Sequence, residues 1–167
     1  MITRALITTL LCLATAAEAG AQRPGITLSA GVAASLAELA PREPGAGLTL
    51  EAVPDLRFRS GFSIGLGFRY TVYSGVPDRE TILVDLRYTR PGPGWRPVLG
   101  LRGAAFHGGD EGGDDAYIGV ELGPVVGLER QVGPRLAVQA LGSVAGVLAL
   151  YRGARVLPSA QLGLVLR

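Results

Sequence analysis

The sequence predicts an all-β fold, a closed up-and-down antiparallel barrel of about eight strands. Three observations predict it. Apolar residues alternate one for one with polar or very small residues in eight separate stretches, turn-forming residues punctuate these at regular spacing, and charges avoid one parity of the alternation. A period of two puts successive side chains on opposite faces of an extended chain, so each stretch is a strand with two unlike faces. An even number of hairpin-linked strands lets the last pair antiparallel with the first, which closes the sheet and removes its edges.

The first strand is expected over residues 25–36, with Ile26, Leu28, Ala30, Val32, Ala34 and Leu36 opposing Thr27, Ser29, Gly31, Ala33 and Ser35. The second, 46–53, sets Leu48, Leu50 and Ala52 against Thr49 and Glu51. The third, 62–73, is the cleanest, running Phe62-Ser63-Ile64-Gly65-Leu66-Gly67-Phe68-Arg69. In the fourth, 81–89, Ile82, Val84, Leu86 and Tyr88 oppose Asp85 and Arg87. The fifth, 95–106, sets Leu99, Leu101 and Ala105 against Gly100 and Arg102. The sixth, 116–129, sets Ile118, Val120, Leu122, Val126 and Leu128 against Gly119, Glu121, Gly123, Gly127 and Glu129. The seventh, 135–151, is apolar on both faces through Leu141, Val144, Val147 and Leu148, which leaves its parity open, and the eighth covers 159–167. Turn signals fall at 41–45, at Pro54-Asp55, and at 74–78, 91–94, 108–115, 132–134 and Arg152-Gly153. Pro97 and Pro124 each remove a ladder donor inside a strand and predict a bulge or strand end nearby.

The segment ahead of the first strand reads as a cleaved signal peptide, residues 1–21. Arg4 supplies a positive start, residues 5–17 are mostly apolar, and Ala19-Gly20-Ala21 offers a small-x-small cleavage site. Residues 22–167 then form one domain with no interdomain linker. A membrane-crossing helix needs about 20 apolar residues, and no later segment of that length lacks glycine and charge. Cys12, the single cysteine, leaves with the leader, and Leu10 and Leu11 before it do not fit a lipoprotein signal. The chain carries 16 basic and 14 acidic residues, and all the basic ones are arginine. With neither lysine nor asparagine present, this reads as GC-rich composition, and the scattered basic residues argue against nucleic-acid binding.

The placement of charge decides what each face meets. In the expected second to sixth strands Glu51, Arg69, Asp85, Arg87, Arg102, Glu121 and Glu129 all share the polar parity, and the other parity carries no charge. One arginine at the midplane of a lipid-facing barrel surface costs about 2–4 kcal/mol, so a lipid face should be free of charge. A soluble, lipocalin-like barrel carrying a hydrophobic ligand also alternates, with its apolar parity inward. Two features favour the membrane. The polar parity is rich in Gly, Ser, Ala and Thr, which suits a narrow lumen better than a solvated surface. Aromatic residues also gather at strand ends, with Phe62, Tyr88 and Trp95 towards one rim and Tyr70, Tyr73, Phe106, Tyr117 and Tyr151 towards the other, as interfacial girdles do.

In this pattern residues 22–167 resemble the small eight-stranded outer-membrane barrels of bacteria, the group containing the transmembrane domain of outer membrane protein A and the OmpX-type proteins. The resemblance rests on pattern over the whole mature chain and on no specific motif. It implies an outer-membrane location, both termini in the periplasm, short inner turns, and outer loops at 37–45, 74–80, 107–115 and 152–158. It further implies a monomer surrounded by outer-membrane lipid and lipopolysaccharide, inserted by the barrel-assembly machinery. That family usually ends its last strand on an aromatic residue, where this chain has Arg167.

Three features could carry chemistry. The inward acids and arginines could form a gated ion pathway or a plug that neutralises buried charge, and the narrow bore of eight strands favours the plug. The loop from His107 to Asp115 holds Asp110, Glu111, Asp114 and Asp115 among glycines. These carboxylates could bind calcium or bridge through it to lipopolysaccharide phosphates, but EF-hand spacing is absent and a solvated turn is the simpler reading. His107, the only histidine, has no serine two residues away to make a lipid A deacylase pair, and Ser74 is the only obvious hydroxyl at the outer rim. The glycines recur with strand period, unlike a nucleotide-binding fingerprint. No catalytic residue and no cofactor is assigned, and the expected role is structural or one of surface interaction.

Overall fold

The computed structural model describes residues 22–34, 46–73, 78–109, 117–150 and 153–167. They form eight strands: β1 (Gln22–Ala34), β2 (Ala46–Phe58), β3 (Phe62–Tyr73), β4 (Arg79–Thr89), β5 (Trp95–Gly108), β6 (Tyr117–Gln131), β7 (Leu136–Ala149) and β8 (Gly153–Leu166). Each strand pairs antiparallel with the next, and β8 returns to β1 with Ile26 opposite Leu166 and Ala33 opposite Ser159, so the sheet closes into a barrel. Closure buries one face of every strand without a second layer, and the described residues provide no other sheet or helix to cover it.

The strands run further than the turn signals predict. Pro54-Asp55 is not a turn. β2 continues to Phe58, and the chain reverses at 59–61. Alternation explains this, since Thr49, Glu51, Val53 and Asp55 are all buried on the inward parity. The register with β1 is continuous through Pro54, while the register with β3 skips Val53 and Pro54 and resumes at Asp55 opposite Gly65 with unchanged offset. Likewise β4 begins at Arg79 and β5 reaches Gly108, so the ends of two expected loops are strand. Residues 153–158, expected in the fourth outer loop, belong to β8, where Pro158 pairs with Val144 and Gly153 with Ala149. β7 turns Leu141 and Val147 inward and Val144 and Leu148 outward.

The prolines are accommodated without inserted residues. Pro97 lies two residues into β5, close to a strand end as expected. Pro124 sits in the middle of β6, but Leu122 opposite Gly146 and Val125 opposite Ser143 keep one offset, so the expected bulge does not form. Its ring is exposed on the outer face.

Glycine is required where strands or turns approach most closely. Gly61 has φ of 93°, donates to the Phe58 carbonyl at 3.0 Å and accepts from the Thr89 amide at 2.9 Å, which ties the β2–β3 turn to the end of β4. Inside the barrel, a Cβ on Gly127 would collide with the Ala140 carbonyl oxygen and lie 2.7 Å from Leu141 Cδ2. Gly103 faces outward, where the nearest atom to such a Cβ is Leu122 Cδ1 at 3.8 Å. Gly127→Ala is therefore expected to destabilise the folded barrel by about 1–3 kcal/mol through overpacking against fixed backbone. Gly103→Ala should leave it nearly unchanged, as read from urea unfolding midpoints.

Candidate functional site

Two surfaces result from the closed sheet, an apolar outer belt and a charged lumen. On the outside Leu48, Leu50 and Leu162 are 69%, 64% and 72% exposed, and Ile82, Leu99, Leu122 and Leu148 continue the same surface around the barrel. Among the described strand residues, outward-facing charge is confined to the belt's ends. Glu80 stands opposite His107 at the end carrying the longer connections, here the loop end. Arg130 lies at the other, the turn end, with its guanidinium 5.8 Å from the Trp95 ring centre. A soluble carrier would turn its apolar parity inward, and the observed parity is the reverse.

Aromatic side chains divide between belt and bore. Phe62 and Tyr88 face outward at the turn end with ring centres 5.1 Å apart, and Trp95 is exposed at the same rim. Phe58, which the sequence reading did not include, joins them. Tyr70 faces outward at the loop end, its hydroxyl donating to Asp78 at 2.6 Å. Tyr73 and Phe106 correct the girdle expectation, because both are buried inside the barrel. They share parity with Arg69 and Arg102, so nearness to a strand end did not make them interfacial. Tyr151 and the side chain of Tyr117 lie outside the described residues.

The inward charges are stacked in three layers. In the middle, Arg102 on β5 makes a bidentate pair with Glu51 on β2, both bonds 2.8 Å, and donates to Asp85 on β4 through Nε at 2.7 Å and Nη2 at 2.8 Å. Arg87 bonds the same Asp85, and Gln161 on β8 donates to Glu51 at 3.2 Å. Towards the loop end, Arg69 on β3 bonds Glu121 on β6, and Arg79 reaches Glu121 at 3.3 Å. The Arg79 guanidinium lies 4.8 Å from the Phe106 ring centre and 5.8 Å from that of Tyr73, where the ring faces attract positive charge. Towards the turn end, Glu129 accepts from Arg57 at 2.8 and 3.2 Å, from Arg96 at 2.6 Å and from Arg167. Arg57 also reaches Asp55 at 3.4 Å. Partial burial draws the Arg167 guanidinium, one residue past β8, below its ordinary value, and Arg57 adds to this while Glu129 opposes it.

All seven lumen residues expected from the sequence face inward and take part in these layers. Register alone did not choose their partners. Glu51 and Arg69 are opposite in the β2–β3 ladder, yet Glu51 bonds Arg102 and Arg69 bonds Glu121. Sequence reasoning missed Asp55, Arg57 and Arg79 by ending strands early, and it left Arg96 and Arg167 uncounted although both lie on the polar parity of the expected fifth and eighth strands. Continuing the parity of the second and fourth strands two to four residues beyond those ends finds the first three. Beside the charges lie two apolar clusters, Val98 with Val125 and Leu141, and Phe106 with Val147, Ala149 and Leu157.

Of the other candidates, His107 is exposed on the outer face. Asp110, Glu111, Asp114, Asp115 and Ser74 lie outside the described residues. Among the described residues no group of three or more His, Cys, Asp or Glu side chains could hold a metal ion.

A closed eight-stranded antiparallel barrel with an apolar exterior and a charged, small-residue interior has the fold of the small outer-membrane barrels. Neisserial surface protein A (NspA) has this fold, with a TM-score of 0.72 at 14% identity over 87% of this chain and 97% of its own. The N-terminal β-barrel domain of Pseudomonas aeruginosa OprF aligns with a TM-score of 0.46 at 19% identity, covering 85% of this chain and 96% of that domain. Ail, the attachment invasion locus protein of Yersinia pestis, gives 0.45 at 14% identity over 86% of this chain and 98% of its own. No family model and no curated protein matches the sequence.

Loss of Arg102 would deprive two carboxylates of their main partner at once, because Glu51 and Asp85 are both buried around it. Arg102→Met is expected to destabilise the barrel by about 3–5 kcal/mol, the cost of an uncompensated buried charge. Reversible urea unfolding in lipid vesicles measures this, and a change under 1 kcal/mol would contradict a structural role for the middle layer.

Proposed function

We propose that this chain is an integral outer-membrane barrel protein, with residues 1–21 removed as a signal peptide and a structural or surface-interaction role carried by its outer loops. The observation that carries this reading is the inversion of polarity: paired charges inside, and an apolar belt outside whose charges, among the described strand residues, stand at its two rims. Such a belt in water would be a large aggregation-prone surface, whereas lipid solvates it without cost. We further read the lumen as a plug. The three ion-pair layers and the two apolar clusters occupy a bore that eight strands make only wide enough for side chains.

In this reading the termini and the short reversals at 59–61, 90–94 and 132–135 face the periplasm, and the longer connections at 35–45 and 110–116 face outward. Lipid and lipopolysaccharide surround a monomer inserted by the barrel-assembly machinery. The outward alternation of Ala160, Leu162, Leu164 and Leu166 suits such insertion, while Arg167, where the family usually has an aromatic, is committed to Glu129. The role proposed is non-enzymatic, with the exposed His107 left without a catalytic part.

The test is gel migration with and without boiling, applied to protein from washed outer membranes. A folded band that shifts on boiling and resists alkaline extraction is expected, and recovery in the soluble periplasmic fraction without a shift would overturn the reading. Leu50→Arg on the belt should cost about 2–4 kcal/mol of stability in lipid if it lies near the midplane. The plug predicts no steady conductance from the folded protein in planar bilayers.

A further inference from the structure

The turn end of the barrel is strongly basic. A cavity of about 220 Å³ opens there, lined by Arg23, Arg57, Arg59, Arg96 and Arg167 with Phe58, Gly61, Thr89 and Pro91 as its walls. The side-chain carboxylates within reach are Asp55 and Glu129: Glu129 is engaged by three of these arginines, and Asp55 by Arg57 through one of its oxygens. Among the described residues Arg23 and Arg59 have no carboxylate partner. Arg23 also stands directly opposite Arg57 in the β1–β2 register, and like charges facing across a ladder repel. Two buried donors, Arg96 Nε and Arg167 Nε, lack a hydrogen-bond partner.

Five guanidiniums against two side-chain carboxylates, in a cavity with spare donors, is an arrangement that a bound oxyanion would stabilise. We propose that this mouth is a binding site for a phosphate-type oxyanion. Guanidiniums suit that ligand because each presents a planar fork of N–H donors matched to two oxygens, and several can share one tetrahedral anion. The middle layer shows the contrast, since its Arg87 and Arg102 are balanced by Glu51 and Asp85 and leave no surplus. Arg59, adjoining the Gly61 turn, is exposed, and the turn's hydrogen bonds to Phe58 and Thr89 hold that wall of the cavity in place. The oxyanion could be a dissolved phosphate or the headgroup of an anionic phospholipid at the rim of the belt, and the two sources share this chemistry.

The test uses the folded barrel purified in a zwitterionic detergent, its fold checked independently by the heat-dependent gel shift. Isothermal titration is run with inorganic phosphate and pyrophosphate in one arm, and with phosphatidylglycerol in mixed micelles in the other. Arg23→Gln and Arg59→Gln remove cavity charges that lie outside the ion-pair layers. Arg135→Gln removes an exposed arginine of the neighbouring turn that does not line the cavity. Binding weakened about tenfold by each of the first two, and unchanged by the third, is the expected result. Its appearance in the dissolved-phosphate arm assigns a free anion, and its appearance only with phosphatidylglycerol assigns a headgroup. Equal weakening by all three variants would mean diffuse attraction to a basic surface and would overturn the site. Absence of binding in both arms, with the gel shift intact, would overturn it while leaving the barrel reading untouched.

Discussion

A closed sheet of eight strands turns one face of every strand into a narrow interior, so a charge buried there is stable only where it meets counter-charge. The rest of the molecule follows from this constraint. Where Arg102 spans from β5 to Glu51 on β2, the inward residue opposite it in the β5–β6 ladder is Gly123, where a Cβ would collide with the β7 backbone. With the charges consumed inside, the outward parity is left with leucine, isoleucine and valine. The belt and the lumen are therefore one design seen from two sides.

Much of this was legible in the sequence because burial of charge tolerates few exceptions. Glu51, Arg69, Asp85, Arg87, Arg102, Glu121 and Glu129 declared their face by parity alone, and the eight strands by period. Strand ends were less legible. Pro54-Asp55 has the residues of a turn, yet Asp55 and Arg57 keep the inward parity of Glu51, and tertiary pairing with β1 and β3 overrode the local signal. Tyr73 and Phe106 were misread for a related reason. An aromatic ring near a strand end suits either an interface or a barrel mouth, and only its parity tells them apart.

Partner choice across the barrel was not legible. In a tilted, staggered barrel, side chains at one height come from strands that are distant in sequence, and the stagger is a property of the closed sheet. Arg57 bonds Glu129, 72 residues away, and Arg69 bonds Glu121, 52 residues away. Nothing in either local sequence names the other. The basic turn end was obscured in the same way, since Arg23, Arg59, Arg96 and Arg167 are scattered along the chain and converge only when β8 meets β1.

All three layers join the first half of the chain to the second: Arg57 and Glu51 on β2 and Arg69 on β3 reach β5 and β6. Glu121 draws both its arginines, Arg69 and Arg79, from the other half, and Arg102 draws both its carboxylates, Glu51 and Asp85, from the other half, so neither β1–β4 nor β5–β8 completes these pairs alone. Severed at the connection between β4 and β5, the chain would yield two complementary half-shells. Each would carry the template for the other's alignment, with charge along the bore setting which residue meets which.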